Sequence, residues 1–67
     1  MYPKVEVLLT ERGVSIPELC KATGIPLTTI YDWRRRSRLE DEPVYLSAEN
    51  LLLVAKFFGV PMESLIE

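Results

Sequence analysis

The amino-acid sequence predicts an all-α fold, a single compact domain of five short helices over residues 1–67. Three observations predict it. Apolar residues recur at the three- and four-residue spacing of a helix face, and no stretch alternates as a strand would. Serines stand where helices would begin, at Ser15 and Ser47, and glycines where they would end, at Gly13, Gly24 and Gly59. Pro3, Pro26 and Pro61 fall in opening turns, where a missing N–H is tolerated.

The first helix opens at Pro3 and turns Val5, Leu8 and Leu9 inward, with Arg12 at the same helical spacing. Gly13 ends it. The second runs from about Ile16 to Thr23. Ser15 and Glu18 have capping-box spacing, and Val14 and Leu19 that of a hydrophobic staple. Leu19, Cys20 and Thr23 face inward, and Cys20 reads as a small core residue rather than a reactive thiol. After Ala22-Thr23-Gly24-Ile25 a third helix runs from about Pro26 to Arg36. Two helices joined by so short a glycine turn make a helix-turn-helix unit.

The two sides of the third helix differ. At about 100° per residue, Pro26, Ile30 and Trp33 face inward. Thr28, Tyr31, Asp32 and Arg35 face outward, a mixture of hydrogen-bonding groups, an amphipathic ring and a cation. A helix carrying such a face can enter the major groove of DNA and read base edges. Arg34, Arg35, Arg36 and Arg38 crowd its far end. Cations there complement the helix C-terminus and can also hold phosphates.

Ser37 to Leu46 is expected to form a surface loop. Glu40-Asp41-Glu42-Pro43 has nothing to bury, Pro43 blocks a continuous helix, and Val44-Tyr45 is expected to be briefly extended. Ser47 caps a fourth helix, with Leu46 and Leu51 at staple spacing. Leu51, Leu52, Val54, Ala55 and Phe58 supply its apolar face, and Leu53 and Phe57 extend apolar surface to other sides. A last helix, Pro61–Ile66, returns Met62, Leu65 and Ile66 to the core.

Composition narrows the function. One cysteine permits no internal disulfide, and the absence of histidine argues against a metal centre, so neither metal nor cofactor is expected. No nucleophile–base pair and no glycine-rich phosphate loop is visible, and so small a chain has few walls for a pocket. An enzyme with a small-molecule substrate is not expected. No apolar run approaches the roughly 20 residues of a membrane span. Met1-Tyr2-Pro3-Lys4 is not followed by a signal-peptide core, and the expected setting is a reducing cytoplasm without membrane contact. The net charge of −2 is unevenly spread: residues 1–39 carry +3 and residues 40–67 carry −5. A molecule with a basic end can meet DNA, but its non-specific affinity should be weak.

An ordered set of residues carries a resemblance. Leu8-Leu9 and Gly13, Glu18-Leu19-Cys20 with Gly24-Ile25, Ile30 and Trp33, Leu51-Leu52, Ala55, Phe58-Gly59-Val60 and Leu65 together resemble the DNA-binding domain of phage repressor and Cro proteins, the lambda-repressor-like family. The resemblance spans nearly the whole chain. It implies a third helix lying in the major groove and a second crossing the backbone. Carried over, the base-reading positions fall on Leu27, Thr28, Tyr31 and Asp32, with Arg35 on the same face. The phosphate positions fall on Ser15 and Ile16 and on Arg35, Arg36 and Arg38, and Arg34 of the same arginine cluster is also expected to hold a phosphate. Ile16 stands where the family often has glutamine, so that phosphate contact is either lost or replaced by backbone N–H groups. Leu27 could touch a thymine methyl, and Asp32 could accept from cytosine or orient a neighbouring arginine.

The expected function is a sequence-specific regulator of transcription, a phage or bacterial repressor. Its partner would be an operator in double-stranded DNA, bound as a homodimer formed through the fourth and fifth helices. The alternative is a protein-interaction module of the same fold, using Leu53, Phe57 and the acidic loop. The net negative charge and the unusual Leu27 and Asp32 motivate it.

Overall fold

Ser15 shows how local chemistry sets the helix boundaries. Its Oγ accepts from the Glu18 N–H at 3.3 Å, and the Ser15 N–H donates to Glu18 Oε1 at 3.4 Å, a closed capping box. The computed structural model describes residues 1–39 and 44–66. Among them it places five helices: α1 Tyr2–Arg12, α2 Ile16–Thr23, α3 Leu27–Leu39, α4 Ala48–Phe58 and α5 Glu63–Ile66. No strand occurs among the described residues. The C-caps of α1, α2 and α4 are Gly13, Gly24 and Gly59, all left-handed, as helix-ending glycines should be. Ser47 caps α4 by accepting from the Asn50 N–H at 3.2 Å.

The core has one centre. Val5 and Leu9 of α1, Ile16 and Leu19 of α2, Ile25 in the turn, and Ile30 and Trp33 of α3 bury there. Leu51, Val54, Ala55 and Phe58 of α4 and Leu65 of α5 join them. Leu8, Val14, Cys20, Leu53 and Met62 are half-buried against this cluster. α1 packs on α3 and α5, and α2 packs on α3 and α4. Arg12 donates from Nη1 to the Phe58 carbonyl at 3.1 Å, satisfying a carbonyl at the C-terminus of α4.

Several expectations change. α3 continues through Ser37, Arg38 and Leu39 rather than ending at Arg36. No breaker occupies those positions, and Arg38 reaches back to Glu6 of α1 at 3.0 Å. Pro26 is exposed rather than inward: it precedes α3, and its carbonyl receives the N–H groups of Thr29 and Ile30. Leu52 lies on the outer side of α4, because Leu51, Val54, Ala55 and Phe58 already fill the inner one. Ile66 is exposed, because α5 is one turn long and Leu65 takes its only buried place. The expected acidic run Glu40-Asp41-Glu42-Pro43 lies outside the described residues.

Two burials, those of Val44 and Tyr2, were not read from the sequence, whereas Leu46 was expected to pack as a staple. Val44 and Leu46 point into the core on either side of exposed Tyr45. Tyr2 is wholly buried, its ring centre 6.3 Å from that of Trp33, and its N–H donates to the Val44 carbonyl at 3.3 Å.

Candidate nucleic-acid interface

The turn between α2 and α3 is fixed by three residues. Gly24, with φ of 79°, reverses the chain and donates its N–H to the Cys20 carbonyl at 2.8 Å. Thr23 donates from Oγ1 to the Leu19 carbonyl at 2.7 Å and accepts from the Ile25 N–H at 3.3 Å. Ile25 is buried and pins the turn to the core. These contacts fix the angle at which α3 leaves α2.

α3 is anchored on one side and open on the other. Ile30 and Trp33 are buried. Leu27 and Thr28 are exposed, Tyr31 is 44% exposed, and the Arg35 side chain is 64% exposed. Asp32 is half-buried beside them. The outward set expected from helical spacing is therefore brought together on one accessible face.

The arginines do not form one cluster. Asp32 Oδ1 accepts from Arg35 Nη2 at 2.8 Å, and Asp32 Oδ2 lies 3.7 Å from Arg36 Nη1. The Arg35 hydrogen bond is the main reason the Asp32 carboxyl is held below the ordinary carboxylate range. Arg34 and Arg38, four residues apart, both turn to Glu6 of α1. Arg34 Nε lies 3.0 Å from Glu6 Oε1, and Arg38 Nη2 donates to the same oxygen at 3.0 Å. The Arg34 contact is an ion pair without an aligned hydrogen bond, since its buried Nε has no acceptor in line.

The start of α2 differs from the expectation in detail. The Ile16 side chain is buried and is not offered to a phosphate. Ser15 is exposed, but its Oγ also donates to Glu18 Oε1 at 3.1 Å, so its polar groups serve the cap. The Glu18 carboxylate stands where an anion would otherwise approach the helix N-terminus. Between α1, the start of α2 and α3 runs a groove of about 540 Å³, with Glu6, Thr10, Ser15, Tyr31, Arg34 and Arg38 in its walls.

Glu6 is the residue that sequence reasoning missed. Its partner Arg38 is 32 positions away, beyond any local spacing rule. The Tyr2 hydroxyl, buried without a hydrogen-bond partner, also feels the Glu6, Arg34 and Arg38 charges. Among the described residues no group of His, Cys, Asp and Glu could hold a metal ion, and no helix is long and apolar enough to cross a membrane.

A family model described as a homeodomain-like domain covers residues 7–43, more than half of the chain, from within α1 through α3. Comparisons with curated proteins and with solved structures give no match.

Proposed function

The chain belongs to the homeodomain-like family of helix-turn-helix DNA-binding domains, and from that premise we propose that it is a sequence-specific repressor of transcription of the phage or bacterial kind. The observation that carries this reading is the two-sidedness of α3. Ile30 and Trp33 fix the helix to the body, while Leu27, Thr28, Tyr31 and Arg35 are exposed on the far side. A major groove about 12 Å wide admits a helix in that orientation.

Each outward group has a chemistry suited to a base edge. Leu27 offers apolar contact to a thymine methyl, and Thr28 can donate or accept. Arg35 has the fork that matches guanine O6 and N7, and Asp32 steadies it. Asp32 is thus a positioning residue for Arg35 rather than a reader of cytosine. The chain acts as a homodimer through α4 and α5, whose exposed Leu52, Phe57 and Ile66 supply apolar surface. Two copies would then meet half-sites about 34 Å apart, one turn of the duplex.

A mobility-shift titration on the DNA flanking its own gene tests this reading. A shifted band that survives competitor duplex at moderate salt is the expected result. No shift even at low salt would contradict it. The competing reading, a protein-interaction module on the same helices, draws on the net charge of −2 and on exposed Leu52 and Phe57. It calls instead for stoichiometric, salt-insensitive capture of a protein partner and no DNA shift.

A further inference from the structure

The pairing of Arg34 and Arg38 has a consequence for how strongly this surface attracts any polyanion. Both guanidinium groups converge on one carboxylate, Glu6 Oε1, at 3.0 Å each. They do so in the wall of the groove that Tyr31 shares with the outward face of α3. A carboxylate oxygen held between two arginines is the arrangement a phosphate oxygen would take. The fit is incomplete, because Arg34 Nε is buried with no acceptor in line. The pairs are also partly exposed, with side-chain exposures of 30% for Glu6, 38% for Arg34 and 56% for Arg38. Ion pairs of that kind are loosely held and open to exchange.

We propose that Glu6 is a specificity-setting residue: an internal carboxylate that occupies the phosphate position of the α1–α3 groove and withholds Arg34 and Arg38 from the DNA backbone. This rests on the DNA-binding reading above. Non-specific affinity rises with the number of phosphates a protein neutralises. A cation already neutralised from within adds little to it, so the base-facing side chains of α3 carry a larger share of the discrimination between sequences. Asp32 holds Arg35 in a similar way, but from within α3 itself. Glu6 does so from another helix, and its removal leaves the reading face in place.

The test compares wild type, Glu6→Gln and Glu11→Gln, the last an exposed acid on the same helix that controls for a general change of charge. Inorganic pyrophosphate is titrated while the side-chain Nε–H signals of Arg34 and Arg38 are followed by NMR. Binding to a duplex of random sequence is measured over a range of salt. In Glu6→Gln, saturable shifts of both signals are expected at pyrophosphate concentrations that leave wild type and Glu11→Gln unmoved. Its slope of log K against log salt is expected to steepen by about 0.9 for each arginine released, with preference for a specific site falling accordingly.

Equal pyrophosphate shifts in wild type and Glu6→Gln would overturn the proposal. Slopes for Glu6→Gln and Glu11→Gln that match would do the same. Should Glu6→Gln fail to fold, Glu6→Asp, which keeps the charge but withdraws it by one methylene, is expected to steepen the slope in smaller measure, and an unchanged slope would overturn the proposal. The two readings fail differently. No duplex binding by any variant, with the pyrophosphate shifts as expected, sinks the DNA reading and leaves the withholding of the arginines standing. Duplex binding with identical slopes does the reverse.

Discussion

Tyr2 carries a hydroxyl into the core and gives it no hydrogen-bond partner. A buried, unsatisfied polar group costs about 1–3 kcal/mol. Tyr2→Phe keeps the ring beside Trp33 and removes the hydroxyl, so it is expected to stabilise the fold by about 1 kcal/mol, read as a higher urea midpoint. The same residue sets an alkaline limit. Burial pushes its phenol up to about 12, with Glu6 adding to the rise and Arg34 and Arg38 opposing it. In the unfolded chain a tyrosine ionises near 10. The folded state therefore holds the proton more tightly, and the stability this provides is full below about pH 10 and is lost as pH rises towards 12. Tyr2→Phe is expected to flatten that alkaline fall in a pH series of urea melts. Asp32 acts in the opposite sense. Its folded carboxyl lies below the ordinary range, chiefly through Arg35, so its contribution is present above about pH 4 and fades as pH falls through the folded value. The group is partly open to solvent, and its larger effect is on aim. Asp32→Ala is expected to loosen the base preference at the position Arg35 meets, measured with single-base-substituted duplexes.

Among the elements, the α2–turn–α3 unit depends on its boundaries. Ser15→Ala removes the capping hydroxyl and is expected to cost about 1 kcal/mol. Gly24→Ala is expected to cost a similar amount, about 1–2 kcal/mol, through the left-handed backbone alone, because an added Cβ would meet nothing within 4 Å. Urea melts of both variants check this. These boundaries were legible because capping and turn chemistry is local: Ser15, Glu18 three residues on and Gly24 nine residues after the serine name their own geometry. The outward face of α3 was legible for a related reason, since helical periodicity sorts Ile30 and Trp33 from Thr28 and Tyr31. What escaped depends on distance. The last turn of α3 brings Arg38 to a carboxylate on α1, and no spacing rule reaches that far. Leu52 and Ile66 were misplaced because an apolar side chain is a candidate for the core, and only the assembled helices show that the places are taken. Val44 buries beside a proline-bearing acidic stretch, where composition pointed to a loop and hid the anchor, whereas Leu46 was legible as the staple partner of Leu51.

For the molecule as a whole, the charge is arranged rather than simply negative. The basic excess lies within residues 1–39, and Glu6 and Asp32 already pair with the four arginines of α3. A shallow dependence of duplex binding on salt is the corresponding expectation, since few cations remain to displace counterions from phosphates. Affinity for an operator then has to come from base contacts and from pairing of two copies. The dependence of everything on α3 facing a groove is what a selection from a pool of random duplexes examines most directly. The expected result is a single enriched motif for the wild type, shifted or relaxed in Thr28→Ala and in Tyr31→Ala. A pool that emerges from wild type with no enriched sequence, or with one unchanged in both variants, would contradict the account.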